Sequence, residues 1–148
     1  MYIVSGCLLG HNCKYNGGNN RNEDVIDFCR GHSYCVVCPE TEGGLPMPRP
    51  PAEYADGRVI DKEGRDVTKA FERGAEISLE RAIREAEKLG EPIDGAILKA
   101  NSPSCGSGQI YDGTFTGTLT AGYGCFAGKL RDRGITVISE KEIINGKF

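Results

Sequence analysis

Tyr34-Cys35-Val36-Val37-Cys38-Pro39-Glu40 joins a short apolar run to a thiol and, two residues later, to a carboxyl group. An apolar run of this length, closed by a turn signal, reads as a buried strand. Cys38 then stands just beyond the strand end, in a loop that also carries Glu40. The tract Gly43-Gly44-Leu45-Pro46-Met47-Pro48-Arg49-Pro50-Pro51 follows at once, so the chain cannot run on as a helix and turns back over that loop, a lid-like composition. Cys35 and Cys38 form a C-x-x-C, but on a strand that odd spacing sends them to opposite faces and leaves Cys35 in the core.

Upstream, Tyr2-Ile3-Val4-Ser5 closed by Gly6 has the pattern of a buried first strand, with Cys7 immediately past its end. Leu8 to Asn22, rich in Gly and Asn, reads as a loop with a turn at Lys14-Tyr15-Asn16-Gly17. Asn22 or Asp24 caps a short helix from about Glu23 to Arg30. Downstream, Ala52 to Arg65 is turn-like and consistent with a β-hairpin whose tip is Asp61-Lys62-Glu63-Gly64. Asp66 or Thr68 opens the clearest helix, with Val67, Phe71, Ala75, Leu79, Ile83 and Ala86 recurring every three or four residues until Leu89-Gly90. Asp94 to Lys99 is the third strand, and Asn101 to Gly108 a loop carrying Cys105. Ile110 to Leu119 reads as a hairpin around Asp112-Gly113, Ala121 to Arg133 as a helix, and Ile135 to Ile138 as the last strand.

Strands alternating with helices imply an α/β fold: a single domain over residues 1–148, Rossmann-like, with a mostly parallel sheet flanked by helices and a β-hairpin insertion. With 18 basic and 21 acidic side chains the net charge is -3, which argues against a broad nucleic-acid footprint and favours a small-molecule partner. No apolar stretch approaches the roughly 18 residues of a membrane span, and Met1 to Ser5 has neither a basic leader nor a signal-peptide core, so a cytoplasmic location is expected. Oligomeric state is not legible.

Seven cysteines, an odd number in a reducing compartment, point away from a disulfide framework and toward metal or redox chemistry. With His11 and His32 the two histidines present, such a site is built mainly from sulfur, which suits zinc or an iron-sulfur cluster. Cys7, Cys38 and Cys105 each follow a different strand, and ligands of parallel sheets sit at the carboxyl ends of the strands, so right-handed crossovers bring the three thiols to one edge. Three thiolates leave one position open, with Glu40 beside it to donate a proton or activate water. The bland alternative is that these are small buried hydrophobes. Cys13 is the best spare ligand, while Cys29 and Cys125 are best explained by packing.

Ser102 and Ser104, beside Cys105, could hydrogen-bond to cluster sulfur or to substrate, or simply cap a turn. Arg49 is a candidate for holding a carbonyl or anion. Lys99 and Glu53 read as ordinary surface residues. Tyr123, between two glycines, could stack on a planar ring.

Ser5-Gly6-Cys7-Leu8-Leu9-Gly10, then Cys38-Pro39-Glu40 with Gly43-Gly44-Leu45-Pro46 and Pro48-Arg49-Pro50-Pro51-Ala52-Glu53, then Ser102-Pro103-Ser104-Cys105-Gly106 resemble the motifs of the TudS thiouracil desulfidase family, in the same order. The resemblance spans nearly the whole chain. It implies a 4Fe-4S cluster on Cys7, Cys38 and Cys105 whose remaining iron is open to the sulfur of a thiolated nucleobase. It also implies catalytic roles for Glu40 and Ser102, and release of sulfide without net redox change. Lys14-Tyr15-Asn16-Gly17 stands where the family more often has Arg-Tyr-Asp-Gly. Desulfidation of thiouridine in tRNA and a non-catalytic zinc or cluster module are the competing readings.

Overall fold

The computed structural model describes residues 1–148. In chain order its elements are β1 (Tyr2–Ser5), a 3-10 turn (Gly6–Leu9), α1 (Glu23–Arg30), β2 (Tyr34–Val37), α2 (Pro39–Glu42), β3 (Ala52–Ala55), β4 (Arg58–Asp61), α3 (Thr68–Leu89), β5 (Gly95–Leu98), β6 (Ser107–Tyr111), β7 (Leu119–Tyr123), α4 (Cys125–Asp132) and β8 (Val137–Ser139). β1, β2, β5 and β8 form one parallel sheet in the order β2-β1-β5-β8. Two antiparallel hairpins, β3-β4 and β6-β7, are separate from it. No helix is long and apolar enough to cross a membrane.

Alternation along each strand splits the apolar residues between two layers. Ile3, Cys35, Val37, Ala96 and Leu98 face α3 and α4, where Phe126 and Leu130 are fully buried. Val4 and Ile97 face the other way, against Val25, Phe28 and Cys29 of α1. Burying a side chain such as Phe126 contributes about 1.5–3 kcal/mol. The buried stripe of α3 is Thr68, Phe71, Gly74, Ala75, Ser78, Ala82 and Ala86. It is thus turned slightly from the periodic set expected, and its small residues let the helix come close to its neighbours.

The hairpins differ from expectation for local reasons. The β3-β4 turn is Asp56-Gly57, both with positive φ (50° and 77°), the two-residue geometry an Asp-Gly pair favours, while the run from Asp61 to Gly64 starts at the last residue of β4 and leads out of the hairpin. In the second hairpin Ser107 pairs with Tyr123 and Tyr111 with Leu119, so Asp112 to Thr118 is a long loop. Residues 121–123, expected to begin a helix, therefore belong to β7, and the helix starts at Cys125.

β1 sits between β2 and β5, so the connections leaving the carboxyl ends of β1 and β5 diverge there, the place where open α/β sheets bind ligands. The loop after β2 is held over that crevice by an unusually close helix contact. α2 is a single turn, and it rests on α3 where Gly43 meets Gly74; a Cβ on Gly74 would stand 1.7 Å from the Pro39 carbonyl oxygen. Glu42 secures the contact from its other end by bonding Ser78 and Arg81 of α3.

Candidate active site

The crevice is a cleft of about 470 Å³, and Cys7, Cys38 and Cys105 all line it. Each arrives by its own route. Cys7 lies in the 3-10 turn two residues past β1, Cys38 is the residue before α2, and Cys105 follows β5 through a turn in which Ser102 Oγ accepts the Cys105 N–H at 2.8 Å. Ser5, the last residue of β1, stitches the arrangement together: its hydroxyl accepts the Lys99 N–H at 3.0 Å and donates to Cys105 Sγ at 3.4 Å.

The thiols differ electrostatically. Burial pushes Cys105 up to about 12 and also raises Cys7, against a hydrogen bond from Asn20. Cys38 is held below the usual thiol range by a hydrogen bond from the Cys13 thiol and by Thr41, whose hydroxyl lies 3.2 Å from the sulfur. No three His, Cys, Asp or Glu side chains gather round a point that one ion could occupy. Thiols that line one cleft without converging on a single point suit a multi-iron cluster, whose irons take separate thiolates. A single zinc would require every sulfur within about 2.3 Å of one point.

Glu40 is brought to the same cleft by α2. Its Oε2 accepts from Ser104 Oγ at 2.8 Å, and its Oε1 lies 3.3 Å from Arg49 Nε and Nη2. Arg49 is 9% exposed and donates further to the carbonyls of Cys13 (2.9 Å) and Pro46 (3.3 Å), so one guanidinium ties the Cys13 loop, the Pro-rich loop and the carboxylate into one wall. Ser102 Oγ lies 3.3 Å from Ser104 Oγ, which completes a line of polar atoms Ser102, Ser104, Glu40 and Arg49.

The 2-thiouracil desulfurase family profile matches residues 2–142. This chain belongs to the 2-thiouracil desulfurase family. A solved [4Fe-4S]-dependent thiouracil desulfidase, TudS, is 42% identical and superimposes with a TM-score of 0.82 over 96% of this chain and 91% of its own. A Bacillus subtilis (strain 168) protein, the uncharacterized YbbK, is 37% identical over 153 residues, 97% of each chain.

In this desulfurase-family chain the sequence-derived candidates Cys7, Cys38, Cys105, Glu40, Arg49, Ser102 and Ser104 share one cleft. Tyr123 does not join them. It lies on β7 outside the cleft, 37% exposed, with the Arg131 guanidinium 4.3 Å above its ring. Cys29 and Cys35 are core residues, and Cys125 packs against the Tyr54 hydroxyl. Cys13 lines the cleft beside Cys38.

Two residues that read as ordinary surface are otherwise placed. Lys99 lines the cleft and pairs with Glu140 at 3.0 Å; its position just past β5, at the same sheet edge as the cysteines, was the available signal. Glu53 is 8% exposed, and its side chain accepts backbone N–H groups from the β6-β7 loop. Nothing in its local sequence pattern reveals that contact.

Proposed function

We propose that this chain is an iron-sulfur-dependent desulfidase that replaces the thiocarbonyl sulfur of a free thiolated pyrimidine by oxygen. Cys7, Cys38 and Cys105 hold a 4Fe-4S cluster. The overall change is thiocarbonyl plus water to carbonyl plus hydrogen sulfide, with no electron gained or lost. The observation that carries the reading is the meeting of three thiols from three strand ends with a hydrogen-bonded Glu40–Ser104 pair in one cleft. When bound, the cluster supplies an iron without a protein ligand, a Lewis acid with affinity for sulfur.

The chain's own groups handle the proton. Arg49 fixes one oxygen of Glu40 and leaves the other toward Ser104 and the cleft, where it can take a proton from a water attacking the ring carbon. Ser102 accepts the Cys105 N–H, so its own proton is free to point at Ser104 or at a substrate heteroatom. A proton delivered at Ser102 can thus reach Glu40 Oε2 through Ser104 without movement of the backbone. Arg49 also keeps the lid tract closed against Cys13, which narrows the path of bulk water.

The cleft's size suits a single base, and the acidic balance of the chain adds no general attraction for a polynucleotide. Anaerobically reconstituted protein should convert 2- or 4-thiouracil to uracil with one sulfide released per turnover and no added reductant. Glu40→Gln should lower that rate by about 10²–10⁴-fold with the cluster retained, the usual range for a lost acid-base group. A fully loaded wild type that releases no sulfide, or a Glu40→Gln variant as fast as wild type, would refute the proposal.

A further inference from the structure

The thiols and polar groups of the cleft can hold a thiocarbonyl sulfur and serve its proton transfers, but none of those polar groups defines the plane of a ring. Aromatic side chains that line the same cleft can: Tyr15, Tyr111 and Phe115, of which Phe115 alone has no hydroxyl. Phe115, in the loop Asp112 to Thr118 between β6 and β7, is the one phenylalanine of the chain's five that lines the cleft.

The loop is built to present it. Thr114, Thr116 and Thr118 alternate along the outer face and join their hydroxyls in a ladder that starts at Asp112, with contacts of 2.6, 2.6 and 2.8 Å. The intervening residues, Phe115 and Gly117, both turn to the cleft, a bulky ring beside a residue with no side chain. Phe115 has φ of 57°, a region bulky residues rarely occupy. A carboxylate from the other hairpin holds it there: Glu53 Oε1 accepts the N–H of Phe115 at 3.2 Å and of Gly113 at 3.0 Å. Gly113 lies flush on β3, where a Cβ would meet the Tyr54 carbonyl oxygen at 2.4 Å. Strained backbone kept in place by a buried group from another element is the pattern seen where a side chain's position matters to function.

We infer that Phe115, held over the cleft by Glu53, stacks on the face of the substrate ring and restricts the site to thiocarbonyls carried on flat conjugated rings. Phe115 is then a specificity-determining contact and Glu53 its positioning residue. The inference rests on the desulfidase reading, since the ring to be stacked is that substrate's.

The test compares cluster-loaded wild type, Phe115→Ala, Phe115→Tyr and Glu53→Gln, with iron content checked in each. For 2-thiouracil, the loss in Phe115→Ala is expected in KM rather than kcat, and the preference for 2-thiouracil over acyclic thiourea should fall about tenfold, the scale of one lost base-aromatic stack. Phe115→Tyr should restore the preference, and Glu53→Gln should show part of the same KM effect. Calorimetric binding of uracil to the same loaded proteins gives a readout free of turnover, with affinity about tenfold weaker in Phe115→Ala. Equal uracil affinity in wild type and Phe115→Ala, or equal losses toward 2-thiouracil and thiourea, would overturn the inference. If wild type binds uracil in a Phe115-dependent way yet releases no sulfide, the desulfidase reading falls and the stacking role stands.

Discussion

Replacing Gly74 by alanine sets two effects of opposite sign against each other in the middle of α3. By intrinsic propensity alone, Gly→Ala in a helix stabilises by about 1 kcal/mol. The new methyl, however, would stand 1.7 Å from the Pro39 carbonyl oxygen and 3.0 Å from the Gly43 nitrogen. Contact distances below 3.0 Å are not tolerated, so the Pro39 backbone must retreat by about 1.3 Å. Both neighbours are backbone, and no flexible side chain can absorb the shift. Overpacking of this kind costs about 1–3 kcal/mol, and the stiffness of α2 on α3 places it at the upper end. The net expectation is a destabilisation of about 1–2 kcal/mol, which lowers the melting temperature of a chain this size by about 3–8 °C. Because Pro39 lies between Cys38 and Glu40, the same shift displaces a thiol and a carboxylate together. Iron content and sulfide release should therefore fall more steeply than stability does. Anaerobic melting of the loaded protein at one scan rate, with iron analysis of the same sample, makes the comparison. A Gly74→Ala protein that melts above wild type and keeps its iron would refute the packing argument.

Other consequences are more local. Arg49→Met leaves Glu40 Oε1 and the carbonyls of Cys13 and Pro46 without their donor. Truncating one partner of a buried pair costs about 3–5 kcal/mol, but Glu40 is 19% exposed at the cleft wall, so a melting shift equivalent to about 2–3 kcal/mol is expected. Arg49→Lys should recover only part of it, because an ammonium cannot fork between carboxylate and carbonyls. Asp66, bonded to Thr68 at the start of α3 and to Arg58, titrates at about 2 in the fold. Its folded value lies below its ordinary 3.8, so its contribution is complete above about pH 4 and is lost as pH falls toward 2. Carbon-detected NMR of the Asp66 carboxyl should show that midpoint, and Asp66→Asn should flatten the acid limb of the stability profile.

Much of the frame was written locally in the chain. The runs at Tyr2, Tyr34 and Gly95 became strands, Asn22 caps α1 by accepting the Val25 N–H at 3.1 Å, and Gly90 ends α3 in the left-handed region. Strand-end placement likewise brought Cys7, Cys38 and Cys105 to one edge, because the topology of a parallel sheet decides where its loops emerge. The features that local sequence does not reveal depend on partners distant in the chain. The β6-β7 register is set across a long loop that no two-residue turn announces, so the local pattern points to Tyr123 for the cleft and not to Phe115. Glu53 resembles any surface glutamate until the loop near Gly113 folds back onto it, 60 residues away. The Asp56-Gly57 turn was legible in principle, but the charged run at Asp61 to Gly64 competed with it.

Ligation of the cluster by the three strand-end thiols can be read from iron and acid-labile sulfide analysis of anaerobically reconstituted wild type and of Cys7→Ala, Cys38→Ala, Cys105→Ala and Cys13→Ala. Four irons and four sulfides are expected in wild type, as in the [4Fe-4S]-dependent relative, with the same content in Cys13→Ala and loss in each of the other three. Full retention of the cluster in any one of the Cys7, Cys38 or Cys105 variants, or loss in Cys13→Ala alone, would contradict ligation by those three thiols.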